Sequence, residues 1–373
     1  MVEDTLARLV AFPSVAGAPN GAIVEWIRDR LDGFGAKVTV MPGPEGDRAN
    51  LFATIGPADR PGYILSGHMD VVAAAEPGWT ADPFTLRADG PRLYGRGAAD
   101  MKGFLACALA ALPSLAAAPL ARPLHLAFSY DEEAGCRGVG HMIKELPRLC
   151  APPEGCIVGE PTGMRAIRAH KGKAAARVEI HGRSGHSSRP DQGLNAVHAM
   201  AGVLAAAVRS AEALKAGPFD ANFAPPYSSL QVGVVNGGRA VNIIPDRCSA
   251  EIEARAIAGV PPAALLDPVR VAAEELADQG FGVDWTALSR YPALSLGAGT
   301  PLAGLLEELT GQEPLAAVSF GTEGGLYQAA GVPAIICGPG DIARAHRPDE
   351  YIEVEELAAC LRMIERLAMR LRA

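Results

Sequence analysis

The chain has 373 residues, 49% of them hydrophobic, with 34 Lys and Arg against 42 Asp and Glu for a formal net charge of -8. That length exceeds the roughly 250–300 residues at which single cores stop growing, so two domains are expected, with enough apolar content to offset chain entropy without disulfides or lipid. No block of Lys or Arg offers a footprint for nucleic acid or an anionic membrane, Glu3 and Asp4 stand where a secretory leader carries cations, and no uninterrupted apolar run reaches the roughly 20 residues of a membrane span, so a cytoplasmic protein is expected.

Residues 20–34 have helical spacing, and 37–41, 50–55 and 63–66 read as strands. An Ala- and Leu-rich helical segment over 102–118 follows, then buried strands over 124–129 and at 157–158. This alternation predicts an α/β domain, a doubly wound mixed sheet covered by helices, whose polar loops gather at one end of the strands. From about Ala174 the texture changes. Residues 175–181, 229–235 and 248–254 alternate like half-exposed strands, 195–215 is a long helical run, and 258–279 reads as a second helix after Pro261 and Pro262. Near Pro301 another long helix begins, followed by the buried strand 334–337. The expected organisation is a larger domain over 1–173 and 287–373, interrupted by a smaller α+β domain over 174–286. Seven scattered cysteines form neither a CxxC pair nor an even framework, so reduced, mostly buried thiols are expected. Cys136, close behind an acidic pair, reads either as a reactive thiol or, preferably, as a small packing residue.

Five potential metal ligands, His68, Asp100, Glu133, Glu160 and His346, each sit in a short loop beside an apolar strand-like run. Nitrogen and oxygen donors without a thiolate suit a hydrolytic zinc or cobalt centre. Asp70, two residues beyond His68, is placed to accept the second imidazole N–H and fix its tautomer. Asp100 lies in a glycine-rich turn entering a helix, where it can cap that helix or bridge two cations through its two oxygens. Asp131, Glu132 and Glu133 directly follow a buried strand, where their mutual repulsion calls for nearby positive charge; a solvated acidic loop is the alternative. Glu160 and His346 each stand at a proline-stiffened turn and draw their weight from the ensemble.

The segments PGWTADPFTL, LYGRGAADMKGF, SYDEEAGCRGV, VGEPT, AHKGK, GRSGHSSRPDQGLNAV, GTEGG and AHRPDEYIEVEEL together resemble the M20 family of metal-dependent amidohydrolases over nearly the whole chain. The resemblance implies two divalent metal ions, Zn2+ first and Co2+ as the alternative, bridged by Asp100, with His68 and Glu160 completing one shell and Glu133 and His346 the other. It implies that Glu132 is the general base and that the smaller domain serves as lid and dimerisation domain of a homodimer. It further implies that His186, by itself only a polar residue in a Gly/Ser turn, stabilises the oxyanion from the partner subunit. Asn242 and Arg255 match positions near the substrate's α-carboxylate, although either could be a structural sheet residue; Lys171 and Thr322 match more weakly.

Within the family, AHKGK, GHSS and the glutamate of GTEGG resemble the members that hydrolyse the N-acetyl amide of N2-acetyl-L-ornithine in arginine biosynthesis. The alternatives are succinyl-diaminopimelate desuccinylase, another N-acyl amino acid amidohydrolase, or, in a different class, a non-catalytic binding protein of the same fold. Glu323 is a candidate to select the cationic ornithine side chain, with an indirect structural role as the competing reading. The second glycine of GTEGG stands where relatives carry Ala-Pro, so that wall of the pocket is expected to be looser.

Overall fold

In the computed structural model, which describes residues 2–372, a six-stranded sheet forms in the order Lys37–Pro42, Ala49–Ile55, Leu124–Ser129, Tyr63–His68, Gly155–Pro161 and Ala334–Gly338. The last four run parallel, and the first two pair antiparallel at one edge, so the sheet is mixed as the alternation predicts. Every residue of the four parallel strands is buried, which is why they read as continuous apolar runs rather than alternating ones. Leu6, Ile27, Leu109, Leu306 and Leu367, from five different helices, share one core with Leu65, Leu126, Ile157 and Ile335 of the sheet. Because the four strands point the same way, the segments following His68, Ser129, Glu160 and Gly338 emerge at a common end.

This sheet belongs to the first of two compact units, made of Met1–Ala169, Leu294–Ala317 and Thr322–Ala373. The Ala- and Leu-rich segment is helical over Gly103–Ala110 and Leu112–Ala116, interrupted at Ala111, two residues before the break-prone Pro113. Helices Val2–Val10, Val139–Leu149 and Val354–Leu371 and a small sheet of Arg87–Asp89, Arg92–Tyr94 and Tyr351–Glu353 add to the elements expected from pattern.

The second unit, His170–Ala293 with Val318–Gly321, is built on a four-stranded antiparallel sheet ordered Ser229–Gly237, Arg247–Ala256, Gly172–His181, Gly282–Tyr291. Ala176, Val178, Ile180, Ala250, Ile252 and Ala254 face a core shared with Met200 and Val203 of helix Ala196–Leu214 and Val269 of helix Asp267–Glu274. Asn195 caps the longer helix, its Oδ1 accepting from Val197 N and His198 N at 3.0 Å each. Two expectations change here. The stretch 258–279 is not one helix but a 3-10 turn at Pro262–Leu265, the helix Asp267–Glu274 and a second 3-10 turn at Glu275–Gln279, since Pro262 and Pro268 each remove a backbone donor. The boundary at 286/287 falls inside the strand Gly282–Tyr291, whose edge position leaves it only half-buried and blurs its alternation.

Two helical stretches, Ala98–Ala116 and Ala196–Leu214, are apolar and long enough to cross a membrane, which a search for uninterrupted runs overlooks. The first is 89% buried within the protein, and the second lays Ala196, Met200, Val203 and Ala207 on the sheet of its own unit. All seven cysteines are free, and all but Cys150 are buried.

Gly159, in a central strand, has no room for a side chain: a Cβ there would collide with the ring of Phe104. Gly159→Ala is expected to lower the urea-unfolding midpoint through an overpacking cost of about 1–3 kcal/mol. Gly140→Ala, in open space on helix Val139–Leu149, should instead leave stability unchanged or raise it by about 0.5–1 kcal/mol. Equal midpoints for the two variants would contradict the packing described.

Candidate metal centre

Four strand ends and one turn supply the cluster. His68 closes the strand Tyr63–His68, Glu132 and Glu133 follow Leu124–Ser129, Glu160 lies near the end of Gly155–Pro161, and His346 sits in the loop after Ala334–Gly338. Asp100 comes from the turn before helix Gly103–Ala110, where Gly97 takes a φ of 80° that a side chain would strain. Its two carboxylate oxygens face different histidines: Oδ1 is 3.1 Å from His68 Nε2, and Oδ2 is 3.2 Å from His346 Nε2. On the first side Glu160 Oε1 lies 3.9 Å from the same His68 nitrogen; on the second, Glu133 Oε1 lies 2.9 Å from His346 Nε2. Ligand atoms of His68, Glu132 and Glu160, and of His68, Asp100 and Glu133, come within 4.8 Å of one another. The five residues singled out from the sequence are thus brought together, with Glu132 among them.

The electrostatics show a site short of positive charge. Burial pushes the Glu132 carboxyl up to about 8, Glu323 to about 7 and Asp70 to about 6, and lifts Glu160 well above the ordinary carboxylate range. Hydrogen bonding to Asp100 and Glu133 raises His346 to about 10. Burial works against a charged His68, yet Asp100, Asp70 and Glu160 carry it well above its usual value. Asp100 is the exception among the acids: burial opposes its charge, but His346 and His68 hold it below the ordinary range. Acids that ionise only with difficulty, beside imidazoles that must take up protons, are what a divalent cation relieves. The donors are imidazole nitrogen and carboxylate oxygen, a set that suits zinc or cobalt, so the residues fit a metal centre.

Two side chains differ from expectation. Asp70 does not orient His68 through its carboxylate, which lies 3.7 Å from Nδ1; its backbone carbonyl does so at 2.9 Å. The Asp70 carboxylate instead accepts from Glu132 N and Glu133 N, each at 3.1 Å, and so holds the acidic turn in place. Asp131 turns away with a left-handed φ of 53°, pairing with Arg48 at 2.6 Å and accepting from Gly17 N at 2.8 Å. Only part of the acidic run therefore faces the cluster, and Arg48 relieves the rest. Behind the turn, the Cys136 thiol is buried and donates to Glu132 Oε1 at 3.3 Å.

Thr322 and Glu323 are almost fully buried in the first unit. Thr322 Oγ1 accepts from Gly324 N at 3.0 Å, and Glu323 Oε2 accepts from Ser66 Oγ at 3.2 Å, tying the GTEGG segment to a core strand. Lys171, His186, Asn242 and Arg255 lie in the second unit. The Lys171 ammonium donates to the carbonyls of Pro225 at 2.8 Å and Tyr227 at 2.7 Å, a loop tether that leaves less of it for a ligand. Arg255 bonds Glu253 at 2.6 Å and the Tyr291 hydroxyl at 3.2 Å. Asn242 is exposed, and its carbonyl accepts from Ser187 N at 3.1 Å. His186 is exposed, with Nδ1 accepting from Ser188 N at 3.1 Å.

The sequence reading missed Arg96 and Glu350, a buried ion pair at 2.9 Å beside the Asp100 turn. Both belong to quoted motifs, but nothing local marks an arginine and a glutamate so far apart in sequence as partners.

The model of peptidase family M20/M25/M40 matches residues 64–370. The chain belongs to this family. It is 34% identical over 373 residues to an acetylornithine deacetylase of Myxococcus xanthus, covering 98% of this chain and 96% of that one. An acetylornithine deacetylase of Proteus mirabilis (strain HI4320) is 32% identical over 356 residues, covering 93% and 90%. Among solved structures, an M20 family metallo-carboxypeptidase from Sulfolobus solfataricus superposes with a TM-score of 0.82 at 17% identity, over 100% of this chain and 99% of that one. A Bacillus subtilis protein described as a dinuclear metal binding peptidase of the same family gives a TM-score of 0.65 at 16% identity, over 100% and 97%. The M20 fold thus places the acid-rich strand ends in a family of hydrolases.

If Asp70 supports the acidic turn as its two hydrogen bonds indicate, Asp70→Asn should lower the hydrolytic rate by about 10–100-fold. Its far-UV circular dichroism should match the parent's, and an unchanged rate would remove Asp70 from the support of the site.

Proposed function

We propose that this M20 protein is a two-metal amidohydrolase that cleaves the N-acetyl amide of N2-acetyl-L-ornithine, giving L-ornithine and acetate in arginine biosynthesis. The observation that carries the reading is the placement of Asp100, with one oxygen 3.1 Å from His68 Nε2 and the other 3.2 Å from His346 Nε2. A carboxylate so placed can serve two cations at once. His68 and Glu160 would complete one shell, and Glu133 and His346 the other. Two divalent ions, Zn2+ foremost and Co2+ as the alternative, would polarise the amide carbonyl and make water acidic enough to act near neutral pH.

Glu132, which lies among the ligand residues yet belongs to neither pair, is the residue left for proton transfer. It takes a proton from the attacking water as the water oxygen bonds to the carbonyl carbon. It then delivers that proton to the nitrogen as the C–N bond breaks. His186 is assigned to the developing oxyanion: because Nδ1 accepts from Ser188 N, the ring proton lies on Nε2, which is then a donor. In this reading a homodimer supplies that histidine, and Asn242 and the Arg255 fork receive the α-carboxylate. Lys171 and Thr322 are assigned more weakly to the substrate, and Glu323 to the cationic ornithine side chain, with its bond from Ser66 Oγ supporting the competing structural role. Free, mostly buried thiols suit a reducing cytoplasm.

The substrate choice is supported by the acetylornithine deacetylases at 34% and 32% identity. Other N-acyl amino acids, N-succinyl-diaminopimelate included, are the second reading, favoured by Gly324 and Gly325, which put no side chains beside Glu323. The metal-reconstituted protein, offered a panel of N-acyl amino acids, should show its highest kcat/KM with N2-acetyl-L-ornithine; a succinyl substrate in first place would overturn that choice. Glu132→Gln should retain its metal and lose about 100- to 10,000-fold in kcat. Tight metal binding without hydrolysis of any acyl amino acid would instead identify a non-catalytic binding protein.

A further inference from the structure

Glu350 ends the AHRPDE stretch and belongs to neither ligand pair, yet it is 1% exposed and fully engaged. Its Oε2 accepts from Arg96 Nη1 at 2.9 Å and Gly97 N at 3.0 Å; its Oε1 accepts from Ala99 N at 2.9 Å and Asp100 N at 3.1 Å. Its own carbonyl accepts from Gly95 N at 2.9 Å. One residue therefore holds the turn from Gly95 to Asp100 at several points. Arg96, equally buried, reaches in the other direction: it donates to Arg347 O at 3.4 Å and Ala73 O at 3.2 Å, pairs with Glu76, and lies 4.9 Å above the Trp79 ring.

A buried ion pair gives little net stability over apolar residues of the same volume, because desolvation offsets the attraction. What it fixes is geometry. Asp100 and His346 come from segments far apart in sequence, and His346 is held in a left-handed conformation with φ of 58°. Their facing atoms lie 3.2 Å apart only while the turn and the loop stay in register. The clamp between them is Glu350.

We propose that Glu350 is a positioning residue for the metal centre: with Arg96 it locks the Asp100 turn to the His346 loop, so that both are set for a cation before one arrives. This rests on the two-metal reading above. Neither residue touches a cation or the substrate. Their effect falls on the affinity of the ion shared by Asp100 and His346, rather than on the chemical step once both ions are bound.

The test is Glu350→Gln in the full chain, with Zn2+ titrated in competition with a chromogenic chelator and Co2+ followed by its visible absorption. The expected result is a rise of about 10- to 100-fold in the dissociation constant of one ion, with far-UV circular dichroism unchanged and kcat regained at saturating metal. Dissociation constants equal to the parent's overturn the proposal, even where thermal stability falls, because that would mark a purely structural pair. Should the amide variant fail to fold, Glu350→Asp keeps the charge but is too short to serve Arg96 and the turn together; parental metal affinity in that folded variant overturns the proposal equally. A parent protein that binds no divalent ion would defeat the two-metal reading itself and this inference with it, a result distinct from a variant that binds as tightly as the parent.

Discussion

The carboxylate of Asp100 stands between two imidazoles, and much of the first unit keeps it there. Left to itself, a cluster of Asp70, Glu132, Glu160 and Glu323 would repel itself apart or take up protons. The rises for Glu132, Glu160 and Glu323, set against the fall for Asp100, show where compensation is already in place and where it is missing. The fold has concentrated negative charge at one end of a sheet and left the balancing charge to come from a ligand. That choice costs stability and makes sense only if the ligand is a cation.

Parallel strands are what make such a concentration affordable in geometry. Tyr63–His68, Leu124–Ser129, Gly155–Pro161 and Ala334–Gly338 are buried throughout, so their ends are fixed by a packed core rather than by loops. His68 and Glu160 lie within their strands and Glu133 only a few residues past Ser129, whereas Asp100 and His346 are brought in by the turn before helix Gly103–Ala110 and the longer loop after Gly338. Support comes from backbone-directed carboxylates. Asp70 holds the N–H groups of Glu132 and Glu133, and Glu350 holds those of Gly97, Ala99 and Asp100. Acidic residues thus do two kinds of work: some face the cluster, and others grip the main chain behind it.

Much of this was legible in the sequence, for identifiable reasons. Fully buried strands leave unbroken apolar runs, and a polar residue at the end of such a run is conspicuous, which is how His68, Glu133 and Glu160 stood out. The second sheet announced itself by alternation at Gly172–His181 and Arg247–Ala256, where one face is buried and the other wet. The strand Gly282–Tyr291 escaped because an edge position leaves its burial partial, and the proposed boundary cut through it. Side-chain direction was the other blind spot. Asp70 and Asp131 were placed in the right turns, but nothing local shows that one carboxylate would bend to the backbone and the other to Arg48. The Arg96–Glu350 pair was invisible for a related reason, since its members meet only after the whole sheet has formed.

In the proposed centre a single carboxylate organises two cations, and metal content measures this most directly. Protein purified with Zn2+ or Co2+ and dialysed against metal-free buffer should retain two ions per chain, while Asp100→Ala, still folded by circular dichroism, should lose both together. An Asp100→Ala protein that kept its full complement, or a parent that held no tightly bound ion, would contradict the account.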